Sequence, residues 1–415
     1  MKNHTIPCLA TCLAKKLTVL TFLIFACSVS VFAQIPKLDA LRQKAEQGDA
    51  EAQAQLGRLY VKAVADPAVQ RDDAEALKWI RKSAEQGNAK GQNSLGNMYS
   101  SGYGLDKDKV EALKWYKLAA AQNNPNAMWN LGDMYAEGQG NLPKDKKLSD
   151  EWMKKAFAGF KKLAEQGDAE GQVNLGLLYA QGKGVSKSPS TAVKWYRKAA
   201  DQGDAAGEYW LGQAYGDGEG VSKNLSTAMM WNGKAADQGY ALAQFSLGVW
   251  YYTGQGVSRN FSEAIKWWRM AAEQGDAESQ NNLGTAYSRG HGVAKDETEA
   301  SKWYRKAADQ DFAEALIALG WNYIDGKGVP KDVSKAEQLW LKAAEQGNAI
   351  AQFNVGRMYY NGKIVPQDKA KGLFWLKKSA AQGFAPAKAF LQNPDAPPAP
   401  GKAKGKKGGK QNQQN

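Results

Sequence analysis

The sequence predicts an all-α solenoid of tandem helical hairpins. Three observations carry that prediction: a tetrapeptide that returns at a fixed period, a helix signature inside every interval, and a capping residue at a constant offset. The tetrapeptide is Gln-Gly-Asp/Asn-Ala or a close relative. Its glutamines are Gln47, Gln86, Gln122, Gln166, Gln202, Gln238, Gln274, Gln310, Gln346 and Gln382, and from Gln166 onward each step is 36 residues. An interval of this length is one hairpin that buries its apolar face only against its neighbours, so the repeated part of the 415-residue chain forms a stack and not a set of globular domains.

In chain order, Leu38 to Glu46 reads as a lone second-type helix that caps the amino-terminal end. Each following interval reads as two helices, A and B, joined by a glycine loop. Helix A carries Leu-Gly-x-x-Tyr, from Leu56-Gly57 with Tyr60 to Val355-Gly356 with Tyr359, nine times in all. An alanine four residues before the leucine, such as Ala52 or Ala243, sets apolar groups at i, i+4 and i+8 on one face, which is the core face. A mid-helix glycine costs about 1 kcal/mol against alanine, so its recurrence points to close approach of a neighbouring helix. Helix B carries a tryptophan seven residues before the junction glutamine at Trp79, Trp115, Trp195, Trp231, Trp267, Trp303 and Trp375, with Leu339 there once. Seven residues earlier again stands an N-cap type in every repeat: Asp72, Asp108, Asp145, Ser188, Asn224, Asn260, Asp296, Asp332 and Asp368. Their side-chain oxygens are expected to take the first free N–H groups of helix B.

At the junctions, Gly48, Gly87, Gly167, Gly203, Gly239, Gly275 and Gly347 suit the left-handed conformation that ends helix B, and the Asp or Asn that follows caps the next helix A. Repeat six has Tyr240 at that cap and repeat eight has Asp311-Phe312, so fraying is expected at both. Between the helices Gly-x-Gly recurs, as at Gly102/Gly104 and Gly326/Gly328. These loops resemble phosphate loops only superficially. None is followed by Gly-Lys-Ser/Thr or preceded by a strand pattern, and backbone geometry is the preferred explanation. Repeat three has fourteen residues from Trp152 to Gln166 where the others have seven, which lengthens helix B by about two turns without rotating its apolar face. In repeat one, Ala65 to Arg71 replace the Gly-x-Gly loop.

The combined pattern Ala-x-x-x-Leu-Gly-x-x-Tyr, Gly-x-Gly-Val, Ala-x-x-Trp-Tyr-x-Lys-Ala-Ala, Glu-Gln-Gly-Asp resembles the Sel1-like repeat family, relatives of the tetratricopeptide repeats, over residues 47 to 390. The resemblance implies a right-handed α-solenoid of about nine helix-turn-helix repeats with half-repeat caps, the second cap being Gln382 to Leu391. It implies helix A on the inner, concave surface and helix B on the outer one. It also implies a scaffold that assembles envelope complexes, modulates signalling or meets host proteins. Cysteine-rich secreted members are associated with binding and hydrolysis of penicillin-like compounds. This chain lacks those cysteines and any recognisable nucleophile.

The ends read differently from the stack. Lys15 and Lys16, the apolar run Leu17 to Val31, and Val31-Phe32-Ala33 form a signal-peptide pattern with cleavage before Gln34. Two alternatives stay open: lipoprotein processing at Cys27, after Ile24-Phe25-Ala26, and an uncleaved anchor. The expected location is therefore exported, periplasmic or secreted, with a membrane attachment only through Cys27 or an uncleaved leader. All three cysteines (Cys8, Cys12, Cys27) lie in the leader, so the mature chain from Gln34 has no disulfide. The domains read as a 1–33 signal peptide, a 34–391 solenoid and a 392–415 tail rich in Pro, Gly and Lys that cannot bury enough apolar surface to order itself. Of the +13 net charge, the leader and tail lysines supply eight, leaving +5 on the body. The tail is a solubilising segment or an attractant for an anionic envelope polymer such as peptidoglycan. Nucleic acid is not expected as a partner of an exported chain.

Catalytic, cofactor and metal sites are not expected. One histidine, His291, remains after the leader, and Gly-x-Ser-x-Gly, Ser-x-x-Lys and His-Glu-x-x-His are missing from the sequence. Asp217 and Glu219 are the kind of carboxylate pair a glycosidase uses, but their loop position favours a solvated role. Function is then expected on the face of helix A opposite its leucine, at positions two before and two after it, about 160° away. The candidate contacts for a protein or peptide partner are Trp129, Tyr209, Phe245, Val249, Ile317, Trp321 and Phe353. The competing explanation is that these aromatics pack against the adjacent helix A. Repeats one, two and seven are polar in the same rows, as at Arg58, Asn93 and Asn97. A polymer-binding or hydrolytic envelope accessory is the alternative function.

Overall fold

The structure is a computed structural model and describes residues 38–62 and 72–394. Residues 1–37, which hold all three cysteines, residues 63–71 and the lysine-rich residues 395–415 lie outside the described residues. Every element among the described residues is an α-helix. The helices pair into the predicted nine hairpins and form two compact units, one ending at Gln274 and one beginning at Gly275.

The first unit opens with α1 (38–46) and continues with six A/B pairs. These are α2 (Ala50–Lys62) with α3 (Asp73–Glu85), α4 (Ala89–Ser101) with α5 (Lys109–Ala121), and α6 (Pro125–Glu137) with α7 (Lys146–Glu165). Then come α8 (Ala169–Gln181) with α9 (Pro189–Asp201), α10 (Ala205–Asp217) with α11 (Leu225–Asp237), and α12 (Ala241–Thr253) with α13 (Phe261–Glu273). The second unit holds α14 (Ala277–Arg289) with α15 (Glu297–Ala308), α16 (Ala313–Asp325) with α17 (Val333–Glu345), α18 (Ala349–Asn361) with α19 (Lys369–Ala381), and the closing α20 (Ala385–Gln392). The expected extension of repeat three is present, since α7 has 20 residues where most helices have 13. Met153 and Phe160, seven apart, are both buried, so the two added turns keep the apolar face in phase.

Each hairpin closes on the leucine of helix A, which is at most 3% exposed from Leu56 to Leu319. The helical glycine beside it lets the B helix press in. A Cβ at Gly96 would stand 2.6 Å from the Tyr116 ring, and one at Gly284 would stand 2.6 Å from the Tyr304 ring. The residue that occupies this contact is not the tryptophan but the one after it, including Ile80, Tyr116, Met153, Trp268, Tyr304 and Leu376, all buried. In repeat eight Leu339 stands in the tryptophan register, and Trp340 fills the glycine contact at 1% exposed. The Gly-x-Gly loops are likewise structural. A side chain at Gly104 would meet the Asp73 carbonyl oxygen at 2.6 Å, so the loop rests directly on the start of the preceding B helix.

The caps largely follow the sequence reading. Eight of the nine B-helix caps accept backbone N–H groups, as Asp108 does from Val110 and Glu111 at 2.8 and 2.9 Å. Ser188 departs from the expectation: its hydroxyl donates to the Thr191 hydroxyl at 2.8 Å and caps nothing. Pro189, at the first helical position, removes one of the N–H groups that needed a partner. The fraying expected at Tyr240 and Phe312 is not seen. α12 and α16 start in register, with Tyr240 C=O accepting from Gln244 N–H at 3.1 Å, because the aromatic cap residues pack into the adjoining clusters instead of capping. Asp311 takes the left-handed conformation in place of glycine, with φ 65°.

The junction glutamines have a role that the pattern alone did not disclose. Gln86, Gln122, Gln202, Gln274, Gln310 and Gln382 each donate through Nε2 to the Oε1 of a glutamine on the adjoining A helix at 2.7–2.8 Å. Gln53, Gln172, Gln244 and Gln352, on those A helices, in turn donate to alanine carbonyls eight residues earlier. The amide pairs lie within each hairpin, and the bonds to the alanine carbonyls reach back to the preceding B helix, so consecutive repeats are joined by hydrogen bonds as well as by apolar packing.

Candidate functional site

Because the leucine face of each A helix packs on its B helix, the opposite row is what remains for contact with anything else. In the first unit this row lies on the inner side of the curve, since Arg58 of α2 pairs with Glu170 of α8 at 3.0 Å although 112 residues separate them. An ion pair between repeats one and four closes only if the A helices lie inside.

Most of the predicted aromatic contacts have neighbours. Trp129 donates from Nε1 to Asp133 Oδ2 at 2.7 Å, lies edge-on to Phe160, and has the Lys183 ammonium 5.5 Å from its ring centre; Lys183 also pairs with Asp133 at 2.7 Å. Tyr209 packs on Trp210 and on Tyr240 at the next junction, and burial pushes the Tyr240 hydroxyl up to about 12. Phe245 and Val249 are half-buried on α12. In the second unit Ile317 is buried and its carbonyl accepts from Trp340 Nε1 at 3.1 Å. Phe353 lies edge-on to Phe384 and Phe390 of the closing half-repeat. Trp321 differs. It sits on the Trp340 ring at 4.8 Å yet stays 43% exposed, at the rim of a 110 Å³ cavity with Arg357 and Asn354. The seven residues therefore divide, four on the first unit and three on the second.

Sequence reasoning missed a second feature. The polar rows of repeats one and two line a 330 Å³ cavity between α2, α4, α6 and α8. Arg58, Lys90, Asn93, Asn97, Asn126 and Glu170 form its polar wall, and Val61, Ile80 and Met98 form its floor. Asn130 Nδ2 donates to both Asn93 Oδ1 and Asn97 Oδ1 at 3.0 Å, and Tyr116 Oη donates to Asn97 Oδ1 at 2.8 Å. With their oxygens engaged, Asn93 and Asn97 offer N–H donors. Lys90 pairs with Glu51 at 2.6 Å. Burial pushes the Glu51 carboxyl up, but hydrogen bonds from Lys90, Gln55 and Asn88 outweigh it and hold the group below its ordinary value. The legible signal was the break in apolar character at Arg58, Asn93 and Asn97.

Asp217 and Glu219 are exposed, at the edge of a 210 Å³ cavity that Tyr196 and Trp210 also line. Among the described residues there is no group of three or more His, Cys, Asp or Glu placed to hold a metal ion. No helix among them is long and apolar enough to cross a membrane.

This arrangement defines a tandem helical-hairpin repeat protein. Comparison with known proteins sharpens the class: the Sel1 repeat matches nine times in succession, at residues 50–88, 89–124, 125–159, 169–204, 205–240, 241–276, 277–312, 313–348 and 349–384, and the chain belongs to the Sel1 repeat family. Among solved structures, a Sel1 repeat protein from Oxalobacter formigenes is 33% identical over 55% of this chain and 92% of its own, with a TM-score of 0.51. The protein c5321, a protective antigen present in uropathogenic Escherichia coli strains and displaying an SLR fold, is 30% identical over 86% of this chain and 89% of its own, with a TM-score of 0.40. A comparison with curated proteins finds no match. Sel1 repeat proteins generally mediate protein–protein interaction, and the fold is typically a non-catalytic scaffold.

Proposed function

We propose that this chain is an exported, non-catalytic adaptor that holds a protein or peptide partner against its inner A-helix face. The observation that carries the reading is the state of that face. The leucine side of the A helices is committed to the core, yet the other side retains half-buried apolar side chains on the first unit and, on the second unit, a tryptophan 43% exposed at Trp321. Apolar surface of this kind is the usual anchor of an interface. The family's general role in protein–protein interaction supports the same reading.

The test is crosslinking and mass spectrometry on the native envelope, followed by pull-down with alanine at Trp129, Tyr209, Phe245 and Trp321. The expected outcome is loss of the crosslinked partner from the quadruple variant. Unchanged recovery sinks the inner-face reading. The same preparations report processing: an amino terminus at Gln34 supports cleavage and export, whereas an acylated Cys27 supports the lipid-anchored alternative.

A further inference from the structure

We propose that the cavity between α8, α9 and α10 binds a short aliphatic diamine, with the Tyr196 hydroxyl and the Asp217 and Glu219 carboxylates as its polar contacts. This goes beyond the adaptor reading and is independent of it, since none of Trp129, Tyr209, Phe245 and Trp321 lines the cavity.

A tyrosine hydroxyl without a partner starts the argument. In the register after the B-helix tryptophan, Tyr116 donates from Oη to Asn97 Oδ1 at 2.8 Å, and Tyr304 donates to Thr285 Oγ1 at 3.1 Å. Asn97 and Thr285 stand two residues after the A-helix leucine. In repeat four that position is Leu177, which has no polar atom to offer, and among the described residues the Tyr196 hydroxyl has no hydrogen-bond partner. Tyr196 is 4% exposed and lines the cavity. A buried hydroxyl left unbonded is costly, and a ligand that bonds to it recovers that cost. Burial pushes this hydroxyl up and the Glu219 charge adds to the rise, so the group is neutral and can accept through its oxygen.

The chemistry around Tyr196 selects the ligand. Gln213 Nε2 donates to Asn232 Oδ1 at 3.3 Å and to Ser246 Oγ at 3.2 Å, which leaves its Oε1 as the available atom. Asp217 and Glu219 bring two carboxylates to the edge of the cavity, and no lysine, arginine or histidine is among the described residues that line it. Acceptors with two negative charges and no cation call for a dication, and an ammonium supplies three donors and no acceptor. The Trp210 ring, stacked on Tyr196 at 6.3 Å, presents a face that attracts a cation, while Leu177 and Val193 give the methylenes an apolar wall. The volume of 210 Å³, below the range of about 300–1,000 Å³ for drug-sized ligands, suits a short unbranched chain.

The test is isothermal titration calorimetry of the full chain with cadaverine, with its monoamine counterpart pentylamine and with its neutral counterpart pentanediol. Cadaverine is expected to bind at least about tenfold more tightly than pentylamine, as hydrogen bonds to charged groups require, and pentanediol is expected not to bind. Pentylamine also stands for a lysine side chain, so equal affinity for the two amines overturns the diamine assignment. Tyr196→Phe removes only the hydroxyl and is expected to weaken cadaverine about tenfold without lowering the melting temperature, because the lost group had no partner. Asp217→Asn combined with Glu219→Gln alters two exposed side chains and is expected to abolish the preference for cadaverine over pentylamine. Unchanged affinity in either variant overturns the site, as does the absence of saturable cadaverine binding to the wild-type chain.

Discussion

At the scale of single residues, glycine and glutamine positions decide more than the tryptophans that first draw attention. Gly96 faces the Tyr116 ring so closely that a methyl group forces one of them to move, whereas Gly233, half-buried on α11, has no atom within 4 Å of its would-be Cβ. Gly96→Ala is expected to destabilise by about 1–3 kcal/mol through overpacking. Gly233→Ala is expected to stabilise by about 0.5–1 kcal/mol through helix propensity. Urea denaturation of the two variants checks the contrast. Glu208 supplies a second residue-scale prediction. It replaces the buried glutamine of other repeats, accepts from Gln238 at 2.8 Å, and presents an oxygen where those repeats present an N–H. Burial raises its pKa above the ordinary 4.5, with Asp204 adding to the rise and Gln238 and Lys234 opposing it. A carboxyl raised in the folded state favours folding below its ordinary value, and that contribution is lost as pH climbs from about 4.5 through the raised value. Glu208→Gln should therefore raise the melting temperature at pH 7 and have little effect at pH 4. An equal gain at both pH values would refute the assignment.

At the scale of the element, every hairpin has the same grammar with local substitutions. Asp108 accepts two backbone N–H groups at the start of α5, whereas Ser188 accepts none at the start of α9. Asp108→Ala should cost about 1 kcal/mol, and Ser188→Ala should be close to neutral; thermal melts of the pair measure the difference. On the B helices, a lysine three residues after the tryptophan lies over its ring at 4.9 Å for Lys82 on Trp79, 4.2 Å for Lys198 on Trp195 and 4.1 Å for Lys306 on Trp303. This pairing covers the outward side of the ring, whether the tryptophan is buried, as Trp79 and Trp303 are, or half-buried, as Trp195 is. The twenty-residue α7 shows that the grammar admits length: two added turns bring Phe157 edge-on to Tyr179 and Phe160 to Trp129 without disturbing the cap at Asp145.

At the scale of the molecule, stability is local, because each hairpin is buried mainly by its neighbours. Trp340, 1% exposed and bonded to the Ile317 carbonyl, anchors the apolar cluster of the second unit. Trp340→Ala is expected to cost about 3–5 kcal/mol. Hydrogen exchange should then show protection lost over α16 to α18 and retained over α4 to α9. Uniform loss across all helices would instead indicate one cooperative unit.

Fold and register were legible in the sequence because they depend on properties that act within one repeat: periodic apolar residues, caps, and glycines at turns. The 36-residue period, the N-caps and the lengthened helix of repeat three were all readable in this way. What tertiary structure decided depends on residues from different repeats meeting in space. Only there does Trp129 prove to be covered by the Lys183 ammonium of the next repeat, while Trp321 keeps an open face. The Arg58–Glu170 pair belongs to the same class, since no period relates residues 112 positions apart and only the curvature of the first unit brings them together. Local physics repeats with the sequence, whereas curvature accumulates over several repeats and is visible only in three dimensions.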